Sequence, residues 1–124
     1  MNKAWLRDWP WETITAINSG LCKEKNALHK PTEGHELARK LWEDSRRTEM
    51  RLRQALEICR RCHKLSPFCF YNGNTFVAVG RTMIHDVLRK LAPAEAQVLR
   101  SVAGHYIAGT AGDKELDDAL AAWE

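Results

Sequence analysis

Between Thr32 and Ser66 the apolar and small residues fall in an unbroken three-four alternation: Ala38, Leu41, Ser45, Thr48, Leu52, Ala55, Cys59, Cys62 and Ser66. Only an α-helix puts residues at that spacing on one side, so the pattern predicts one long helix over about 32–66. Leu37, Trp42, Leu56, Ile58 and Leu65 widen the stripe enough to face at least two neighbours. Such a helix would be about 50 Å long. Pro31, Thr32, Glu33 and Glu36 suit its start, and Pro67 stops it. Its outer face pairs Glu36 with Lys40, Glu43 with Arg47, Glu49 with Arg53 and Glu57 with Arg61 at four-residue spacing. Each such exposed pair contributes about 0.3–0.5 kcal/mol, so the buried stripe supplies the stability.

The rest of the chain reads as shorter helices around this one. Asp8-Trp9-Pro10 opens a first helix whose inner face is Trp11, Ile14, Ile17 and Leu21, and Asn18, Ser19 and Gly20 end or fray it before Cys22. Lys23 to Lys30 is a polar connection, with Leu28 in a turn or short helix. After Pro67, the run Phe68, Cys69, Phe70 and Tyr71 meets Asn72-Gly73, a pair that commonly closes hairpins. Helical periodicity then continues through Phe76, Gly80, Met83, Val87 and Leu91. A tight aromatic turn of Asn72, Gly73 and Asn74, with positive backbone dihedral at Gly73 and Asn74 as N-cap, therefore outranks a hairpin. The following helix spans about 75–91, and Gly80 inside it lets another helix approach closely. Pro93 opens a further helix with Val98, Leu99, Val102, Tyr106 and Ile107 inward. A loop from Gly109 to Gly112 leads to Asp113, which caps a short acidic helix bearing Leu116, Leu120 and Trp123. The expected fold is all-α: a single-domain bundle of four to five helices around the long central one, mainly antiparallel with short loops.

A chain of 124 residues, 44% hydrophobic and 28% charged, suits one domain over 1–124 and needs no disulfide or metal to hold a core. The first residues lack the apolar stretch of a signal peptide, and no run is long enough to cross a bilayer. A cytoplasmic location is expected, with Cys22, Cys59, Cys62 and Cys69 as reduced thiols. The net charge of +3 is too mild to name a partner.

One motif carries chemistry. Cys59-Arg60-Arg61-Cys62-His63 has the spacing by which c-type haem is attached, and with Cys69 the same residues offer four zinc ligands. Against both, the two cysteines lie on the apolar stripe, where thiols serve as small hydrophobes; the preferred reading has no metal and no cofactor. No phosphate-binding glycine loop, nucleophile elbow or carboxylate pair is present, so no catalytic residue is assigned and no enzyme is expected.

Two groups remain as interaction candidates. Trp5, Trp9 and Trp11 either dock the Trp-rich segment 1–9 on the bundle or present an aromatic patch to a partner. Arg46, Arg47, Arg51, Arg53, Arg60, Arg61 and Lys64 line the long helix, and once their acidic neighbours are paired, Arg60, Arg61 and Lys64 keep a basic field. The leading expectation is a small non-enzymatic interaction or assembly module that binds a protein partner or itself through helix faces. A nucleic-acid-binding bundle stands second, and a haem or zinc protein third.

Overall fold

A computed structural model describes residues 2–123 and is all-α, as the periodicity requires. Its helices are α1 (Trp11–Glu24), α2 (His35–Arg46), α3 (Leu52–Lys64), α4 (Asn72–Met83), α5 (His85–Arg89), α6 (Pro93–Ala108) and α7 (Asp113–Leu120). The single rod expected over 32–66 is thus two helices. They run antiparallel, with Ala38 beside Cys62 and Gly34 against the Leu65 carbonyl.

The break comes from the N-terminal segment. Lys3 and Met50 exchange both main-chain hydrogen bonds, at 2.9 and 2.8 Å, which holds Met50 in a bridge no helical residue could make. Arg51 is likewise extended, and Gln54 reaches back to accept from its N–H at 2.9 Å. Met50 is buried, so the turn is pinned by packing as well as by hydrogen bonds. The seam still reads correctly on either side, since Ala38, Leu52, Ala55, Cys59 and Cys62 are fully buried; Thr48 and Ser66, beyond the helix ends, are exposed. The ion pairs also shift, with Arg39 on Glu36 and Arg46 on Glu43 at three-residue spacing and Arg53 shared between Glu57, Asp113 and Asp117.

The centre of the fold is α3, α4 and α6 packed on one another, with α7 on α3 and α6, and α1 and α2 outside. α4 and α6 meet at Gly80, where any β-carbon would run into the end of Ile107, which is the close approach expected of that glycine. The partner is Ile107 with Leu56 behind it. The helix expected over 75–91 starts earlier, at Asn72, and is interrupted once, at Ile84. That interruption is slight, because Ile84 N–H still bonds Gly80 and Leu88 N–H bonds Ile84. α1 continues past Asn18, Ser19 and Gly20 to Glu24, and Leu28 lies in an irregular, exposed connection. Val98, expected inward, is exposed, while Leu99, Tyr106 and Ile107 are buried as expected. Gly112 rather than Asp113 precedes α7, with Glu115 accepting its N–H at 3.1 Å.

The aromatic turn is real but its mechanics differ. Left-handed backbone falls at Ser66 and Tyr71, while Gly73 lies within the first turn of α4 with ordinary dihedrals. Asn72 closes the turn with its side chain, accepting from Phe68 N–H at 2.9 Å and donating to Phe68 C=O at 2.7 Å. Asn74 is exposed and caps nothing; Tyr71 holds the cap position. Gly73 supplies room instead, since a β-carbon there would lie 3.3 Å from His63 Nε2. Gly73→Ala is therefore expected to change stability by no more than about 1 kcal/mol, the helix preference for alanine offsetting a small shift of His63. Urea unfolding measures this, and a loss of several kcal/mol would restore the positive dihedral.

Candidate interaction surfaces

The tryptophan cluster is mostly structure. Trp5 and Trp11 are buried and Trp9 is half-buried against the core. Trp11 stacks on Phe68 with centroids 5.9 Å apart, and its indole N–H donates to His35 Nε2 at 3.1 Å. Its backbone N–H meets Glu43, and Trp42 donates its own indole N–H to Trp9 C=O at 2.7 Å. The N-terminal segment is therefore fastened to α2, leaving no aromatic patch of three indoles for a partner.

The basic residues also divide. Arg60 lies over the Tyr106 ring at 4.6 Å and donates to Ala111 C=O at 2.9 Å, which ties α3 to α6 and the loop after it. Arg53 is held by the acids of α7, and Arg46 by Glu43 and the Arg7 carbonyl. Arg61 and Lys64 are exposed at the end of α3, without a described partner. Two cations on one turn are a patch, well short of the phosphate-tracking stripe that nucleic-acid binding requires.

Cys59 and Cys62 face the core and are fully buried; Cys62 donates to Ala38 C=O at 3.6 Å. His63, the next residue, turns the other way and donates through Nδ1 to Ile107 C=O at 2.9 Å. Cys69 is exposed on the far connection. Among the described residues no three of His, Cys, Asp or Glu come together as a metal group. Burial pushes the Cys59 thiol upward, reinforced by Cys62, and pushes Cys62 up to about 12, with Arg61 pulling slightly the other way. Alkylation of the native protein at neutral pH is thus expected to modify Cys69 alone of the four cysteines, the other three reacting only on unfolding, as intact mass will read. The folded state retains protons that unfolded thiols release above their ordinary value, so stability should fall as pH rises between about 9 and about 12. The Cys59→Ala, Cys62→Ala double variant should keep its helical content and lose this part of the alkaline slope.

What sequence reasoning missed is an uncovered groove on the α2–α3 hairpin. Among the described residues the backbone of α2 neighbours only α1 and α3 of the helices, and its Trp42 ring reaches Phe76 of α4 on the inner side, so no helix is packed on the outer face of the hairpin. Leu37, 64% exposed, lies at one end with Leu65, Ser66 and residues 32–34. Ser45, Thr48, Glu49, Gln54, Glu57, Ile58 and Arg61 line the other end. Leu41, half-buried against the core, stands between the two ends, one turn from Leu37 and one from Ser45. The signal was present in Leu37, Ser45 and Thr48, but it could be read as an outer groove only once the helix was known to fold back. No known protein family, curated protein or solved structure matches the chain. Among the described residues no helix is long and apolar enough to cross a membrane.

Proposed function

We propose that the chain is a non-enzymatic protein-interaction module that receives a helix in the α2–α3 groove. The observation that carries this reading is Leu37, a large aliphatic side chain mostly in water on a helix whose outer face no other helix covers among the described residues. The groove has the composition for a docking helix: apolar positions at Leu37, Leu41, Ile58 and Leu65, and small ones at Ser45 and Thr48 that let a backbone approach. Beneath it lies a rigid floor of fully buried Ala38, Trp42, Ala55, Cys59 and Cys62, so binding has little ordering entropy to overcome. Four unpaired thiols support a reducing compartment such as the cytoplasm for this module.

A photo-cross-linking residue placed at Leu37 in the living host tests this, with the comparably exposed Val98 as control. A discrete protein adduct from position 37, absent from position 98 and insensitive to salt before illumination, is the expected result. Adducts to nucleic acid, lost steeply as salt rises, would replace this reading with the nucleic-acid one. Absence of any specific adduct would sink both.

A further inference from the structure

We infer that the occupant of the α2–α3 groove is a second copy of the same chain, related by a two-fold axis; this rests on the groove being a docking surface. Ala38 sits beside Cys62 and Gly34 beside Leu65, so counting along the antiparallel pair places Leu41 beside Cys59, Leu37 beside His63 and Ser45 beside Ala55. A two-fold axis at the level of Leu41 and Cys59 then exchanges the level of His63 with that of Ala55. Leu37, the most exposed of the large apolar side chains, falls on Ser45 of the second copy, a small residue at the other end of the groove.

The same operation exchanges Arg61 with Glu57. Both line the groove, and each would face the other's counterpart across the axis, twice per dimer. Neither charge is strongly engaged within the chain: Arg61 has no described partner, and Glu57 has a long contact of 3.8 Å with Arg53. Half-buried Leu41 and Ile58 come nearest the axis, where an interface wants its apolar centre. One register therefore joins an apolar centre to two crossings of opposite charge, while Glu33 and Glu49, at the outer ends, come to a common level.

Sedimentation velocity over a concentration series tests the pairing. The wild-type chain is expected to show a monomer–dimer equilibrium. Arg61→Glu alone and Glu57→Arg alone should each weaken it by roughly tenfold, since each homodimer then meets like charges at two crossings. An equimolar mixture of the two variants should regain wild-type association, because only the mixed pair restores opposite charges at both crossings. Pairing of Glu57 with Arg61 inside one helix cannot produce that rescue in trans. A mixture no tighter than its separate components would overturn the proposed register. A wild type monomeric at every concentration would overturn the second copy as occupant, while a cross-link from position 37 to a different protein would leave the docking reading standing. No dimer and no such cross-link would remove both.

Discussion

Trp42→Ala is expected to lower the unfolding free energy by about 3–5 kcal/mol, more than most other single substitutions in this chain. Trp42 is fully buried on α2, its ring lies 5.9 Å from that of Phe76 on α4, and its indole N–H reaches the Trp9 carbonyl. The truncation would leave a large cavity between α2 and α4 and also orphan the main-chain acceptor that fastens the N-terminal segment. Trp42→Phe separates the two effects. It keeps most of the ring and loses the donor, so about 1–2 kcal/mol is expected, with the N-terminal backbone amides losing hydrogen-exchange protection first. Domains of this size are stable by about 5–15 kcal/mol, so the alanine variant should sit near the edge of folding at physiological temperature. An unfolding free energy for Trp42→Ala within about 1 kcal/mol of wild type, from urea titration, would place the indole outside the core.

The fold class and most core positions were legible because they depend on periodicity, a property of local sequence. Ala38, Leu52, Ala55, Cys59 and Cys62 repeat every three or four residues, and each is fully buried. Periodicity is silent about whether a helix continues or doubles back when the stripe keeps its phase across the turn. Residues 47–51 contain neither glycine nor proline, and what opens them is Lys3, nearly fifty residues distant, pairing with the Met50 backbone. The same reason hid the site. Leu37 and Ile58 are far apart on one straight rod, and they come to opposite ends of one hairpin only after it folds back. Asn72-Gly73 misled in the opposite way, through a local cue that is usually sound. There the amide of Asn72 is spent on Phe68 and the small size of Gly73 on His63, while Tyr71 takes the left-handed conformation.

Asn18 shows most clearly how a tertiary network overrides a local preference, and its removal should rank among the costliest changes. Asn-Ser-Gly reads as the end of a helix, yet α1 passes through it because every polar atom of the Asn18 side chain is met inside the protein. Its amide donates to Phe70 C=O at 2.8 Å and to Thr75 Oγ1 at 3.0 Å. Its carbonyl oxygen accepts from His29 Nδ1 at 2.9 Å and from the Cys22 thiol at 3.5 Å. One buried side chain thus joins α1, the connection before α2, the aromatic turn and α4. Asn18→Leu keeps the number and branching of the side-chain heavy atoms and improves intrinsic helix preference, so the loss comes chiefly from the network, with some overpacking by the larger methyl groups. Without the amide, the Phe70 carbonyl and the His29 N–H lose their partners in a part-buried setting, and a cost of about 1–3 kcal/mol is expected. Asn18→Asp should be costly too, since a carboxylate cannot donate to Phe70. Cys69 supplies a second readout: its N–H bonds the Lys30 carbonyl across the same turn, so its amide protection should fall more steeply than that of Leu116 on α7. Wild-type stability in Asn18→Leu would mean that the helix and the turn are held independently, and that the network merely accompanies a packing the apolar core already dictates.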